Sequence, residues 1–146
     1  MEINGLPLHP LVVHAAVVFG PLAALAALAY VVLPGWRDRL RWPMVVVALL
    51  GTGAIVAAYF TGISFYNSRP DLHQLPSLAT HKSRGRILFW VTLPFGVVAA
   101  VTGVWLHERT GAARLVPNVV LGVTALVVLL LVVLTADAGA RSVWGR

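Results

Sequence analysis

The sequence predicts an all-α fold: an integral membrane four-helix bundle, one domain over residues 1–146, with both termini on the same side of the membrane. Three observations carry this. Apolar residues make up 59% of the chain and charged ones 11%, less than half the ~25% charged share of an ordinary soluble domain. A core built from 146 residues cannot hide so much apolar surface, so lipid must be its solvent. Four long apolar runs follow one another, each matching the ~20 residues that span hydrocarbon at ~1.5 Å per residue. The net charge of +6 comes from basic residues in or beside the connections, which is a membrane-topology pattern and not a nucleic-acid footprint.

The first span covers about residues 8–33. Pro10 suits an opening turn, where its missing N–H is harmless, and Pro21 predicts a kink that neighbouring helices must accommodate. The second span covers about 43–65 and opens on Pro43; the third covers about 86–106 with Pro94 inside; the fourth covers about 116–136 with Pro117 at its start. Small residues recur at helical spacing: Gly20, Ala24 and Ala27; Ala54, Ala58 and Gly62; Gly96, Ala100 and Gly103. Such stripes let backbones approach closely in lipid. Gly51 and Gly53, inside an apolar run, read as packing and not as a phosphate loop. The fourth span, rich in Val and Leu, is expected to face lipid more than the others. Trp36, Trp42, Trp90, Trp105 and Trp144 fall near span ends, as interfacial belts require.

The connections are unequal. Residues 34–42 and 107–114 are short, whereas the polar loop 66–85 is long; Pro70 and Pro76 make it an ordered cap or lateral helix. Four spans put this loop and both termini on one face, with Arg69, Lys82, Arg84, Arg86, Arg141 and Arg146; the short-loop face holds Arg37, Arg39, Arg41, Arg109 and Arg114. The denser short loops are expected to be cytoplasmic and the termini outside, in a multi-pass membrane protein. Glu2, the lack of a basic leader region and the length of the first run argue against a cleaved signal peptide.

This topology gathers His9, His14, His73 and His81, with Asp71 and Asp137, at one level of the membrane. His14 is about 7.5 Å further along the first helix than His9 and about 140° around it. His14 is expected to point into the bundle and His9 to mark the interface. A third helix starting near Ser77 as N-cap after Pro76 would put His81 in its first turns, with Gly85 one turn on leaving room for a flat cofactor. Helices one and three both start at this face. His14 and His81 therefore stand as candidate axial ligands of a b-type haem, or as half of a metal site to which His9 and His73 are weaker contributors. Arg84 or Arg86 would meet the propionates. His107, followed by Glu108 and Arg109, reads as an interfacial histidine bonded to a carbonyl, water or lipid phosphate. Asp137 is expected to pair with Arg141 four residues on.

Several chemistries are excluded. With no cysteine there is no disulfide, thiolate metal site, iron–sulfur cluster or covalently attached c-type haem. No HxxxH or ExxH pair occurs within one helix, and no nucleophile elbow or carboxylate pair sits in a cleft. Catalysis by this chain alone is not expected.

The opening Gly5–His14, reading GLPLHPLVVH, and the close Thr135–Gly145, reading TADAGARSVWG, resemble the bacterial membrane-protein family catalogued as domain of unknown function 2231. Thr61–Gly62 and His81–Gly85 fit the same pattern. The resemblance covers nearly the whole chain and implies a four-helix membrane domain, similar in layout to four-helix b-type cytochromes. Members fused to cytochrome c-like or Rieske-type modules imply respiratory electron transfer. The family's histidines correspond here to His9, His14 and His81. Many members carry a histidine where this chain has Asp137, and a carboxylate is a poor ligand for low-spin haem.

Three functions follow as expectations. The first is an electron-transfer or respiratory accessory domain holding haem b between His14 and His81, in contact with a redox protein. The second is a non-redox scaffold that stabilises a larger membrane complex or a homo-oligomer. The third is a metal-handling or transport protein, ranked last because the spans show neither inverted repeats nor intramembrane charge.

Overall fold

The computed structural model describes residues 2–3, 6–71 and 76–144. A short antiparallel ribbon, β1 (Glu2–Ile3) against β2 (Leu6–Pro7), leads into four helices. These are α1 (Leu8–Val32), α2 (Arg37–Asn67), α3 (Pro76–Val104) and α4 (Ala112–Trp144), with a 3-10 turn at Pro34–Trp36 between the first two. All four are long and apolar enough to cross a membrane. They pack as a ring in which α1 meets α2 and α4, and α3 meets α2 and α4. Neighbours are antiparallel, since His9 at the start of α1 contacts Thr61 near the end of α2, and His81 at the start of α3 contacts Thr135 near the end of α4.

The helices outrun the apolar runs that announced them. α2 begins at Arg37, ahead of the apolar run that opens on Pro43; α3 begins at Pro76, ahead of its apolar run and close to the start expected near Ser77; α4 continues to Trp144. The expected polar loop 66–85 contracts to a connection over 68–75, and Ser77, expected as an N-cap, lies inside α3. Hydropathy measures contact with hydrocarbon, whereas helicity continues into the interface wherever no residue breaks it.

The small-residue stripe of α1 is buried as expected, with Ala24 and Ala27 fully covered. On α3 the covered positions include Gly96, Ala99 and Gly103. On α2 the buried stripe is Met44, Ala48, Gly51 and Ile55, while Ala58 and Gly62 turn to a cavity described below. Gly51 packs on the backbone of Phe19. The expectation for α4 holds in part. Asn118, Leu121, Ala125, Val128 and Val132 form a buried stripe at 3–4-residue spacing. The buried share of its apolar window is 28%, against 22% for α1, 33% for α2 and 44% for α3, so α4 is less covered than α2 and α3, as expected, but more covered than α1. All five tryptophans are exposed, and Arg39 and Arg41 lie over the rings of Trp36 and Trp42. These cation–π pairs suit an interfacial belt.

Candidate functional site

At the end of the bundle where α1 and α3 begin, the four helices enclose a cavity of about 600 Å³. This lies within the ~300–1,000 Å³ usual for ligand pockets. Its wall is mostly apolar, with Val13, Ile55, Tyr59, Leu88 and Val132 among the side chains. Into it come His9, His14, His81 and Gly85, from α1 and α3. Four of the residues singled out in the sequence therefore share one cavity. Arg84 does not line it. The i, i+3 spacing from His81 puts Arg84 on the same flank of α3, toward α4, where Nη1 donates to the Leu134 carbonyl at 2.8 Å. Lys82 lines the cavity in its place, with Nζ 4.0 Å from the centre of the Tyr66 ring. His73 lies outside the described residues.

The cavity histidines are each held by hydrogen bonding within the bundle. His14 Nδ1–H donates to the Pro10 carbonyl at 2.6 Å, and His81 Nδ1–H donates to the Thr135 carbonyl at 2.9 Å. A carbonyl can only accept, so Nδ1 carries the proton in both rings. In the neutral ring Nε2 then presents a lone pair, and among the described residues it has no partner. His9 is held differently. The Thr61 hydroxyl donates to the Ala57 carbonyl at 2.8 Å, so it accepts from His9 Nδ1–H, at 3.3 Å. His9 also stacks on Phe65.

The expected contrast within the α1 pair does not hold, because both histidines line the cavity. His9 is the half-buried one, seated against α2, and His14 is the more exposed, on the cavity wall. Depth along a helix does not set direction. The azimuth of position 9 faces Gly62, whose missing side chain makes the seat: a Cβ there would lie 2.9 Å from His9 Cε1. The same device recurs in the second helix pair, where a Cβ on Gly139 would lie 3.1 Å from the His81 ring. Each hairpin thus starts with a histidine lying on a glycine near the end of its second helix. A Cβ on Gly85, in contrast, would make only an ordinary contact, 3.9 Å from Thr135 Cγ2.

Among the described residues no group of three or more His, Asp or Glu side chains converges to hold a metal ion. The carboxylates gathered by topology are engaged elsewhere. Asp71 pairs with Arg69, and Asp137 takes Arg141 Nε at 3.0 Å, as the four-residue spacing predicts.

The opposite end holds a chain of polar contacts that sequence reasoning missed. The Tyr30 hydroxyl, buried at 1% exposure, donates to His107 Nδ1 at 2.9 Å. His107 Nε2–H donates to Asp38 at 2.8 Å, and Asp38 stands in solvent. His107 is therefore not a loose interfacial side chain but a bridge between three segments. The available signal was Tyr30 itself: it continues the Ala23, Ala27 stripe, so its hydroxyl needed a partner at that helix end. Tyr30→Phe is expected to cost about 1 kcal/mol, the net worth of one such bond. Adding His107→Ala to it should cost less than the sum of the single changes, checked by a double-mutant cycle of unfolding in micelles.

No curated protein and no solved structure matches the chain significantly. A family model described as "Predicted membrane protein (DUF2231)" matches residues 5–146. By that match, over nearly its full length, the chain belongs to the DUF2231 family of predicted membrane proteins.

Proposed function

We propose that the cavity holds one b-type haem, whose iron His14 and His81 would hold, and that the protein acts as a redox or respiratory accessory domain of the membrane. The observation that carries this is the matched state of the two rings. Both donate Nδ1–H to a backbone carbonyl, both line the same apolar cavity, and Nε2 of each is without a partner among the described residues. A hydrogen bond from the far nitrogen is the usual way a protein orients an imidazole ligand and raises its basicity. The buried Thr135 hydroxyl oxygen at the cavity wall is without a partner among the described residues, and Gly85 places no side chain on that wall. The residues present therefore fit the group. When bound, haem supplies one-electron chemistry. The chain's own part is to fix the two imidazoles, keep bulk water out with aliphatic side chains, and offer Lys82 to a propionate in place of Arg84. His9 is satisfied by α2 and serves as a structural latch.

The orientation follows the charge pattern: the end with Arg37, Arg39, Arg41, Arg109 and Arg114 faces the cytoplasm, and the termini lie outside. A redox partner would approach from the cavity end. The test is the absorption spectrum of protein purified in detergent after expression with haem supply. A Soret band with sharp α and β bands on reduction is expected. His14→Ala and His81→Ala should each remove the low-spin spectrum, and His9→Ala should retain it. Absence of a Soret band in the unaltered protein overturns the reading.

A further inference from the structure

The cavity that takes in His14 and His81 is not closed on every side. At its level the α2–α3 seam is sealed, because Tyr59 stacks on Phe89 with ring centres 4.3 Å apart and Phe60 meets the same ring edge-on. The α1–α4 seam has no such plug among the described residues. Pro10, His14 and Val17 line the cavity from α1 and are exposed. Ala136, Ala140 and Trp144 line it from α4, and Trp144 is 82% exposed. A residue that is exposed and also on a cavity wall stands at the edge of an opening.

Each set is one stripe of its helix, at spacings of three and four residues. Each stripe continues a contact that closes the same seam deeper in the bundle. Val17 lies one turn before Gly20 and Ala136 one turn after Val132, and a Cβ on Gly20 would meet Val132 Cγ2 at 3.1 Å. The two helices therefore meet at Gly20 and part toward the cavity end. Hydrogen bonds at this end do not bridge the gap: His9 ties α1 to α2, whereas His81 and Arg84 tie α3 to α4. Ala136 and Ala140, on the α4 edge, are too short to fill it. The opening also reaches hydrocarbon. Val17 lies about 14 Å along α1 from Leu8 at ~1.5 Å per residue, beyond the roughly 5–8 Å of one headgroup layer.

We propose that the α1–α4 seam is a lateral entrance, through which the cavity takes an amphiphile from the lipid and not from water. Haem is such an amphiphile, an apolar macrocycle with two carboxylates. Its identity as the occupant rests on the reading above, whereas the route does not. No carboxylate lines the cavity among the described residues, and Lys82 stands on its wall. A molecule entering sideways passes its apolar body between Val17 and Ala140 and keeps its acidic end at the interface, where Lys82 meets it.

The test uses the full chain in lipid vesicles. The sequence has no cysteine, so Val13→Cys, on the cavity wall, supplies a single thiol. It is offered an alkyl maleimide dissolved in the membrane or a sulfonated maleimide confined to water. Labelling by the alkyl reagent is expected to slow by about tenfold or more when either edge is filled, by Val17→Trp on α1 or Ala140→Phe on α4, because a filled gap raises the barrier to entry. Both positions are exposed, so neither change overpacks the core. Leu78→Trp, near the first residue of α3, should leave the rate unchanged, and the sulfonated reagent should label more slowly than the alkyl one. Unchanged labelling in both edge variants, or equal rates with the two reagents, overturns the lateral route. Slowing by Leu78→Trp alone also overturns it, in favour of entry from water. Vesicles loaded with haem give a separate readout, in which the Soret band of the chain with Val13 intact should grow more slowly in Val17→Trp and Ala140→Phe. A missing Soret band beside the expected labelling pattern overturns haem as the occupant and leaves the route supported.

Discussion

Gly51→Leu is expected to prevent assembly of the bundle, at a cost of about 3 kcal/mol or more, the upper end of what overpacking incurs. A Cβ on Gly51 would stand 2.7 Å from the Phe19 carbonyl oxygen and 2.8 Å from Ala23 Cβ. Neither can rotate away, since one is backbone and the other is a side-chain stub. A leucine adds three more carbons, so α1 and α2 must separate. The separation would open the contacts of Ala23, Ala24, Ala27 and Ala48, all at or below 1% exposure. In lipid this loss is not recovered elsewhere, because helix association there rests on close packing and not on escape from water. Gly53 provides the control. It lies two residues away, and a Cβ on it meets nothing within 4 Å. Gly53→Leu should therefore stay within about 0.5 kcal/mol of the parent. Equilibrium unfolding in mixed micelles, with size-exclusion profiles of the purified variants, separates the two. Similar behaviour of both would show that the α1–α2 approach is not what limits stability.

Arg41→Met is expected to cost roughly 2–3 kcal/mol, the range for hydrogen bonds to a charged group. Arg41, near the start of α2, donates from Nε to the Gly103 carbonyl at 2.6 Å and from Nη2 to the Val104 carbonyl at 3.2 Å. These are among the last carbonyls of α3, which have no partner within their own helix. The guanidinium thus caps α3 and places a cation at its negative end. Methionine keeps most of the stem but leaves both carbonyls without that donor. Arg41→Lys should recover part of the loss, since an ammonium cannot span two carbonyls with one rigid fork. The measurement is thermal unfolding, with amide exchange at Trp105 and Leu106, which both donate to the Val101 carbonyl. Unchanged exchange there in Arg41→Met would contradict the capping role.

The architecture was legible in the sequence because lipid imposes it: a run too apolar for water and long enough for hydrocarbon has one available conformation. The stripe of Gly20, Ala24 and Ala27 was legible for a related reason, since small residues at helical spacing signal close approach. Much of what differs concerns direction around a helix. In α4 the buried Leu121, Val128 and Val132 are chemically the same as the exposed Val123, Leu130 and Val133. When lipid and core are equally apolar, hydropathy cannot tell the two faces apart. His9 and His14 were sorted by depth, but the seat offered by Gly62 decides which of them turns to α2. The cavity with His14, His81 and Gly85 was approached through chain topology, which brings helix starts together regardless of azimuth. Tyr30 signalled that its hydroxyl needs a partner but not which one, because the members of the Tyr30–His107–Asp38 chain are separated by up to 77 positions and no periodicity links them. Arg84 was placed by its charge, whereas a carbonyl on the neighbouring helix took it first.

The paired histidine seats have a bearing on how the protein is made. His9 on Gly62 and His81 on Gly139 each close a contact within one hairpin and need nothing from the other. Chains emerge from the ribosome N-terminus first. The α1–α2 pair can therefore latch while α3 and α4 are still being synthesised. The second pair can latch by the same means, leaving the α1–α4 and α2–α3 seams to join the two halves. The cavity, whose walls come from both halves, needs both of them in place.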